Sequence, residues 1–183
     1  MLPLRLGSAE QFCGVKEFVE RSGFTEPEVC ARLGLDRLYQ LSSRREEPAL
    51  SAPSESPDAI ATLMAVFLLG KSVSREQVER LIPADILEFM ESLGLVGADA
   101  SDARLYSAAV SLFPIAGLYF VSDRRRNPDG AVPPLLRDAV FPAIHRLTHE
   151  FLEVLPASPC ERLLDLCSGT AIAALFDESP KEE

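Results

Sequence analysis

One stretch restricts the fold more than any other: Arg162-Leu163-Leu164-Asp165-Leu166-Cys167-Ser168-Gly169-Thr170-Ala171-Ile172-Ala173-Ala174-Leu175. Leu163, Leu164 and Leu166 predict a short buried strand, Cys167 to Ala171 a tight turn of small residues, and Ile172 to Phe176 the start of a helix. A strand that turns through small residues into a helix brings backbone N–H groups close to a ligand, with no side chain between them. Asp165 at the strand end adds a carboxylate that accepts from an amine or a hydroxyl. The competing reading is an ordinary buried strand-to-helix turn, which uses the same small residues without a ligand.

What precedes this stretch is mostly helical in pattern. Residues 8–22 predict a helix with Ser8 as N-cap and Phe12, Val15, Phe18 and Val19 on one apolar stripe, stopped by Gly23. Thr25 and Pro27 open a second, short helix through Leu33 that Gly34 ends, and Leu35, Leu38, Tyr39 and Leu41 continue apolar. Residues 1–41 therefore predict an N-terminal helical cap. Residues 42–57, rich in Ser, Pro and charge, lose all periodicity and predict a linker.

The next part is the most regular. Ser56 as cap and Pro57 at the first helical position predict a helix over 58–69, with Ile60, Leu63, Met64, Phe67 and Leu68 on one face until Gly70. Ser74 with Gln77 forms a capping box for a helix over 75–82, and Pro83 opens another over 84–93 that ends at Gly94. Leu105 to Phe113, broken by Pro114, and Ile115 to Asp123 read as strands. Short helices followed by a β-hairpin outline a winged helix, so residues 58–134 predict a winged-helix-like domain. Its third helix carries Asp85, Glu88 and Glu91 where a nucleic-acid reader would place arginines. That favours a structural or protein-contacting role and argues against generic DNA binding. Arg124-Arg125-Arg126 is the one counter-feature, followed by the turn Asn127-Pro128-Asp129-Gly130.

Residues 142–154 predict a last helix, with Ile144, Leu147, Phe151 and Leu152 as its buried stripe. His145 and His149 stand one turn apart, a spacing that can bind a metal, but no third ligand lies nearby in sequence and a polar flank is the simpler reading. Four cysteines without a Cys-x-x-Cys predict reduced structural thiols, with Cys13 and Cys30 on apolar helix faces. The net charge of −10 and pI near 4.8 oppose phosphate binding. No apolar run reaches the length of a membrane span, and the apolar N-terminus is too short for a signal-peptide core, which predicts a cytoplasmic protein.

The stretch from Leu164 to Ala171 resembles motif I of the class I S-adenosylmethionine-dependent methyltransferases, written Leu-Asp-Leu-Gly-Cys-Gly-Thr-Gly. Where that pattern has three glycines, this chain has Cys167, Gly169 and Ala171. A position that needs positive φ disfavours either replacement. The resemblance implies S-adenosylmethionine as cofactor, held by Asp165, Leu166, Cys167, Ser168, Gly169, Thr170 and Ala171. Asp165 would accept from the cofactor's amino group, and backbone N–H groups around Cys167 to Thr170 would approach its amino-acid end. No catalytic residue follows from it.

A helical or winged N-terminal part ahead of motif I is similar to the layout of two-domain glutamine and RNA methyltransferases, which implies a protein or RNA methylation substrate. Eighteen residues follow Asp165, whereas a doubly wound domain needs several more βα units. The expectation is a mainly α chain with a small β part: a winged-helix-like N-terminal region, then residues 135–183 as the truncated start of a Rossmann-like domain, inactive alone. The alternative is a non-enzymatic winged-helix interaction module. Continuing the reading frame past Glu183 separates the two, since only the first expects further βα units there.

Overall fold

The computed structural model describes residues 4–43, 57–99, 102–124, 127–128, 131, 139–154 and 169–172. The expected linker falls almost wholly outside them. Helix α1 (Ala9–Arg21) starts where its sequence demands, because Ser8 and Gln11 satisfy one another reciprocally. The Gln11 N–H donates to Ser8 Oγ at 3.3 Å, and the Ser8 N–H donates to Gln11 Oε1 at 2.9 Å. Helix α2 (Glu26–Leu33) carries Pro27 in its first turn and ends at Gly34 in the left-handed conformation, followed by the short α3 (Gln40–Ser43).

The next helix begins later than expected. Asp58, rather than Ser56, caps α4 (Ala59–Leu63): its Oδ1 accepts from the Ala61 N–H at 2.9 Å, and Pro57 lies ahead of the cap. The same carboxylate takes the Arg32 guanidinium at 3.0 Å, which ties α2 to α4. From Met64 to Leu68 the helix widens into a π turn, with the Leu69 N–H reaching back to Met64 O. Every residue from Ile60 to Leu69 except Ala61 is buried, so this helix runs through the core and not along its surface.

Strand β1 (Val73–Ser74) leads straight into α5 (Arg75–Leu81), and α6 (Ala84–Ser92) follows with Pro83 at its cap. Only half of the expected capping box forms. Ser74 Oγ accepts from the Gln77 N–H at 3.2 Å, but the Gln77 side chain turns inward and donates to Thr62 Oγ1 at 2.8 Å. Strands β2 (Val96–Ala98) and β3 (Leu105–Ala108) complete an antiparallel sheet of order β1-β3-β2.

A second, two-stranded sheet joins β4 (Val110–Ile115) to β5 (Leu118–Asp123). The expected break at Pro114 is not there; the chain breaks at Ala109, whose N–H donates to Leu95 O. Pro114 sits inside β4 opposite Tyr119, one pair away from Ile115 and Leu118, which flank the two-residue turn. Hydrogen-bonded pairs alternate along an antiparallel ladder, so counting from that turn puts Pro114 at a pair where β5 asks nothing of its nitrogen. Both turn residues, Ala116 at φ 49° and Gly117 at φ 77°, are left-handed, as a tight primed turn requires.

One hydrophobic core serves all these elements, with Phe24, Phe67 and Phe113 its largest fully buried side chains. Helix α1 lies on α6. Gly14 lets the two approach, since a Cβ there would stand 3.1 Å from the Phe89 ring, and the Gln11 amide donates to Ser92 Oγ at 2.8 Å. The hairpin β4–β5 reaches the start of α2 and the loop before it: Tyr119 Oη donates to Phe24 O at 3.1 Å and the Ala116 N–H to Glu26 Oε2 at 3.3 Å.

Two apolar stripes depart from expectation. Phe12 on α1 is 51 % exposed. The last helix, α7 (Arg146–Val154), starts at Arg146 and not near Pro142; Ile144 precedes it and is buried, Leu152 is buried, but Leu147 is 72 % and Phe151 52 % exposed. The fold is thus helical with small antiparallel sheets, and no helix among the described residues is long and apolar enough to cross a membrane.

Candidate functional site

Of the residues that sequence singled out for the cofactor, Asp165, Leu166, Cys167 and Ser168 lie outside the described residues. Gly169, Thr170 and Ala171 form a turn, and Ile172 has a helical backbone and a side chain buried in the core. Gly169 has φ 44° and Ala171 φ 58°. Glycine adopts this conformation freely, whereas an L-side chain there costs about 1–2 kcal/mol. The turn therefore takes a glycine backbone at Ala171, one of the two positions where this chain has replaced the glycine of the motif it resembles.

A concave feature lies between α5, α6 and β3. It is a cleft of about 570 Å³. Tyr106, Ile82 and Leu87, all buried, line it alongside the exposed carboxylates of Glu79, Glu88 and Glu91. The Arg75 guanidinium lies 4.8 Å from the Tyr106 ring centroid, inside cation–π range, and meets Glu79 Oε1 at 3.4 Å. The Tyr106 hydroxyl donates to Glu91. Burial, reinforced by that hydrogen bond, pushes the Tyr106 hydroxyl above the ordinary tyrosine value, so it remains a donor at neutral pH.

The histidine pair divides. His145 is exposed, while His149 is half-buried against Tyr39, with ring centroids 5.3 Å apart. His149 Nε2 is buried and has no hydrogen-bond partner among the described residues, and burial lowers its pKa. Among the described residues no group of three or more His, Cys, Asp and Glu is placed to hold a metal ion. Cys13 is exposed and not on a buried face as its helix period suggested. Cys30 is buried, its thiol pushed up to about 11 by burial and then by Glu26. Arg124 turns inward: its guanidinium donates to Ala108 O at 2.8 Å and to Asn127 Oδ1 at 3.4 Å. Arg125 and Arg126 lie outside the described residues.

Sequence reasoning found Glu88 and Glu91 as features of α6 but missed Arg75, Glu79 and Tyr106. Those three come from other elements, and no local pattern announces that the sheet brings β3 beneath α6.

The model of a family described as a domain of unknown function (DUF7059) matches residues 21–106, which run from the end of α1 into β3 and include the cleft. No curated protein and no solved structure matches the chain.

Proposed function

We propose that this chain is the substrate-recognising, N-terminal part of an S-adenosylmethionine-dependent methyltransferase acting on a protein or RNA, with motif I opening its cofactor site. The observation that carries the reading is the left-handed pair Gly169 and Ala171, leading directly into the buried Ile172. Cofactor-binding turns of this kind need that backbone so that N–H groups face the ligand. The cofactor supplies the reactivity when bound. The chain would supply position: Asp165 would accept from the amino group, and the backbone around Cys167 to Thr170 would approach the amino-acid end.

The upstream part reads as a winged helix. Its support is the order helix, β1, α5, α6, β2, β3 together with the sheet order β1-β3-β2. The carboxylates on α6 favour a protein contact over duplex DNA and give specific support to the second reading, a winged-helix interaction module without enzymatic activity.

The two are separated by a variant. In a chain continued past Glu183 into a complete α/β domain, Asp165→Ala is expected to weaken S-adenosylmethionine binding about tenfold, the usual scale for a lost charged hydrogen bond. Unchanged affinity would remove Asp165 from the site and favour the interaction module.

A further inference from the structure

We infer that the cleft between α5, α6 and β3 is a docking site for an arginine-bearing segment of a partner protein. The inference goes beyond the methyltransferase reading and stands without it. The cleft combines shape and chemistry: its volume of about 570 Å³ is that of a site for a few side chains, with an apolar floor of Ile82 and Leu87 and an aromatic face on Tyr106. The fold itself shows what this surface accepts, because a guanidinium already lies over the Tyr106 ring and against Glu79. One arginine faces three carboxylates, so two negative charges at the mouth remain uncompensated. Glu91 accepts from the Tyr106 hydroxyl, while the Glu88 side chain has no ion pair or hydrogen bond among the described residues.

Charge complementarity selects the occupant. A phosphate backbone would be repelled by Glu79, Glu88 and Glu91 and by the net charge of −10. A small metal ion finds no group of three ligating side chains among the described residues. A guanidinium finds carboxylates on the rim, and its methylene stem finds Ile82 and Leu87 below.

The test titrates the isotopically labelled 183-residue chain with a short peptide of alternating arginine and glycine at physiological salt, followed by amide NMR shifts. The expected shifts concentrate on α5, α6 and β3. Glu79→Gln with Glu88→Gln is expected to weaken binding about tenfold, while Glu10→Gln with Glu17→Gln, the same charge change on exposed α1 positions, changes it less than about twofold. If the first pair unfolds the protein, Glu88→Gln alone serves, since it breaks no contact of the fold. Equal weakening by both pairs, shifts scattered over the surface, no peptide binding, or an RNA duplex shifting the same amides would each overturn the inference.

Discussion

Ala116 and Ala171 hold left-handed backbones that an alanine adopts only at a cost, and the cost at Ala116 is directly measurable. The hairpin tip is fixed by Gly117 beside it and by the Ala116 N–H bonded to Glu26, so the turn cannot relax by changing type. Ala116→Gly is therefore expected to stabilise the chain by about 0.5–1 kcal/mol, after subtracting the larger entropy glycine loses on folding. Urea unfolding reads this directly, and a lower midpoint would contradict it. His149 makes a second prediction. Burial disfavours its charged form; Glu26 and Glu153 raise its pKa, Arg37 lowers it, and the net shift is downward. The unfolded chain, with an ordinary histidine near 6.5, then takes up its proton first as pH falls. Stability contributed by neutral His149 is lost as pH drops below about 6.5 toward the folded value. The melting temperature is expected to fall between about pH 7 and pH 5, and His149→Gln to flatten that slope. An unchanged slope in the variant would contradict the assignment. The carboxyls of Asp58 and Asp102, both held below the usual range, keep their contribution across this window and lose it only below about pH 4.

At the scale of elements, local chemistry decides what is legible in sequence. Asp58 shows how much one cap can join. It ends the backbone deficit of α4 and at the same time receives Arg32 from α2, with N···O distances of 2.9 and 3.0 Å. Asp58→Ala is expected to cost about 1–2 kcal/mol, mostly from the cap, because the ion pair is half-exposed and screened. A loss below about 0.3 kcal/mol in chemical denaturation would show that the helix start is carried by tertiary packing instead. The starts of α1 and α5 were readable for the same reason: Ser8 and Ser74 act within one turn of themselves. Pairing between distant segments leaves no such mark. Pro114 looked like a strand breaker because its tolerance depends on which side of the ladder it falls. The π turn at Met64–Leu68 and the exposed stripe on α7 likewise follow from neighbours that periodicity alone does not name. The cleft was half legible. Glu88 and Glu91 stood out on α6, but Tyr106 arrives by sheet pairing and Arg75 by the turn from β1 into α5.

At the scale of the whole molecule, the continuous core draws α1 and α2, the three-stranded sheet and the β4–β5 hairpin into one packed unit. Within that unit the two features on which the proposals rest fall on different elements. The cleft belongs to α5, α6 and β3, and the left-handed turn to Gly169–Ala171. On the proposed reading the first recognises a partner and the second begins the cofactor site. On that reading the cofactor would need carboxylate and backbone contacts at both of its ends, and the motif I turn would supply those at one end only. Calorimetric titration of S-adenosylmethionine tests this most directly, run on the 183-residue chain and on the same chain continued into a complete α/β domain. The account predicts no measurable heat of binding at micromolar cofactor for the first and binding for the second. Micromolar binding by the 183-residue chain would contradict the proposal that motif I contacts the cofactor at one end only, and no binding by the continued chain would contradict the methyltransferase reading itself.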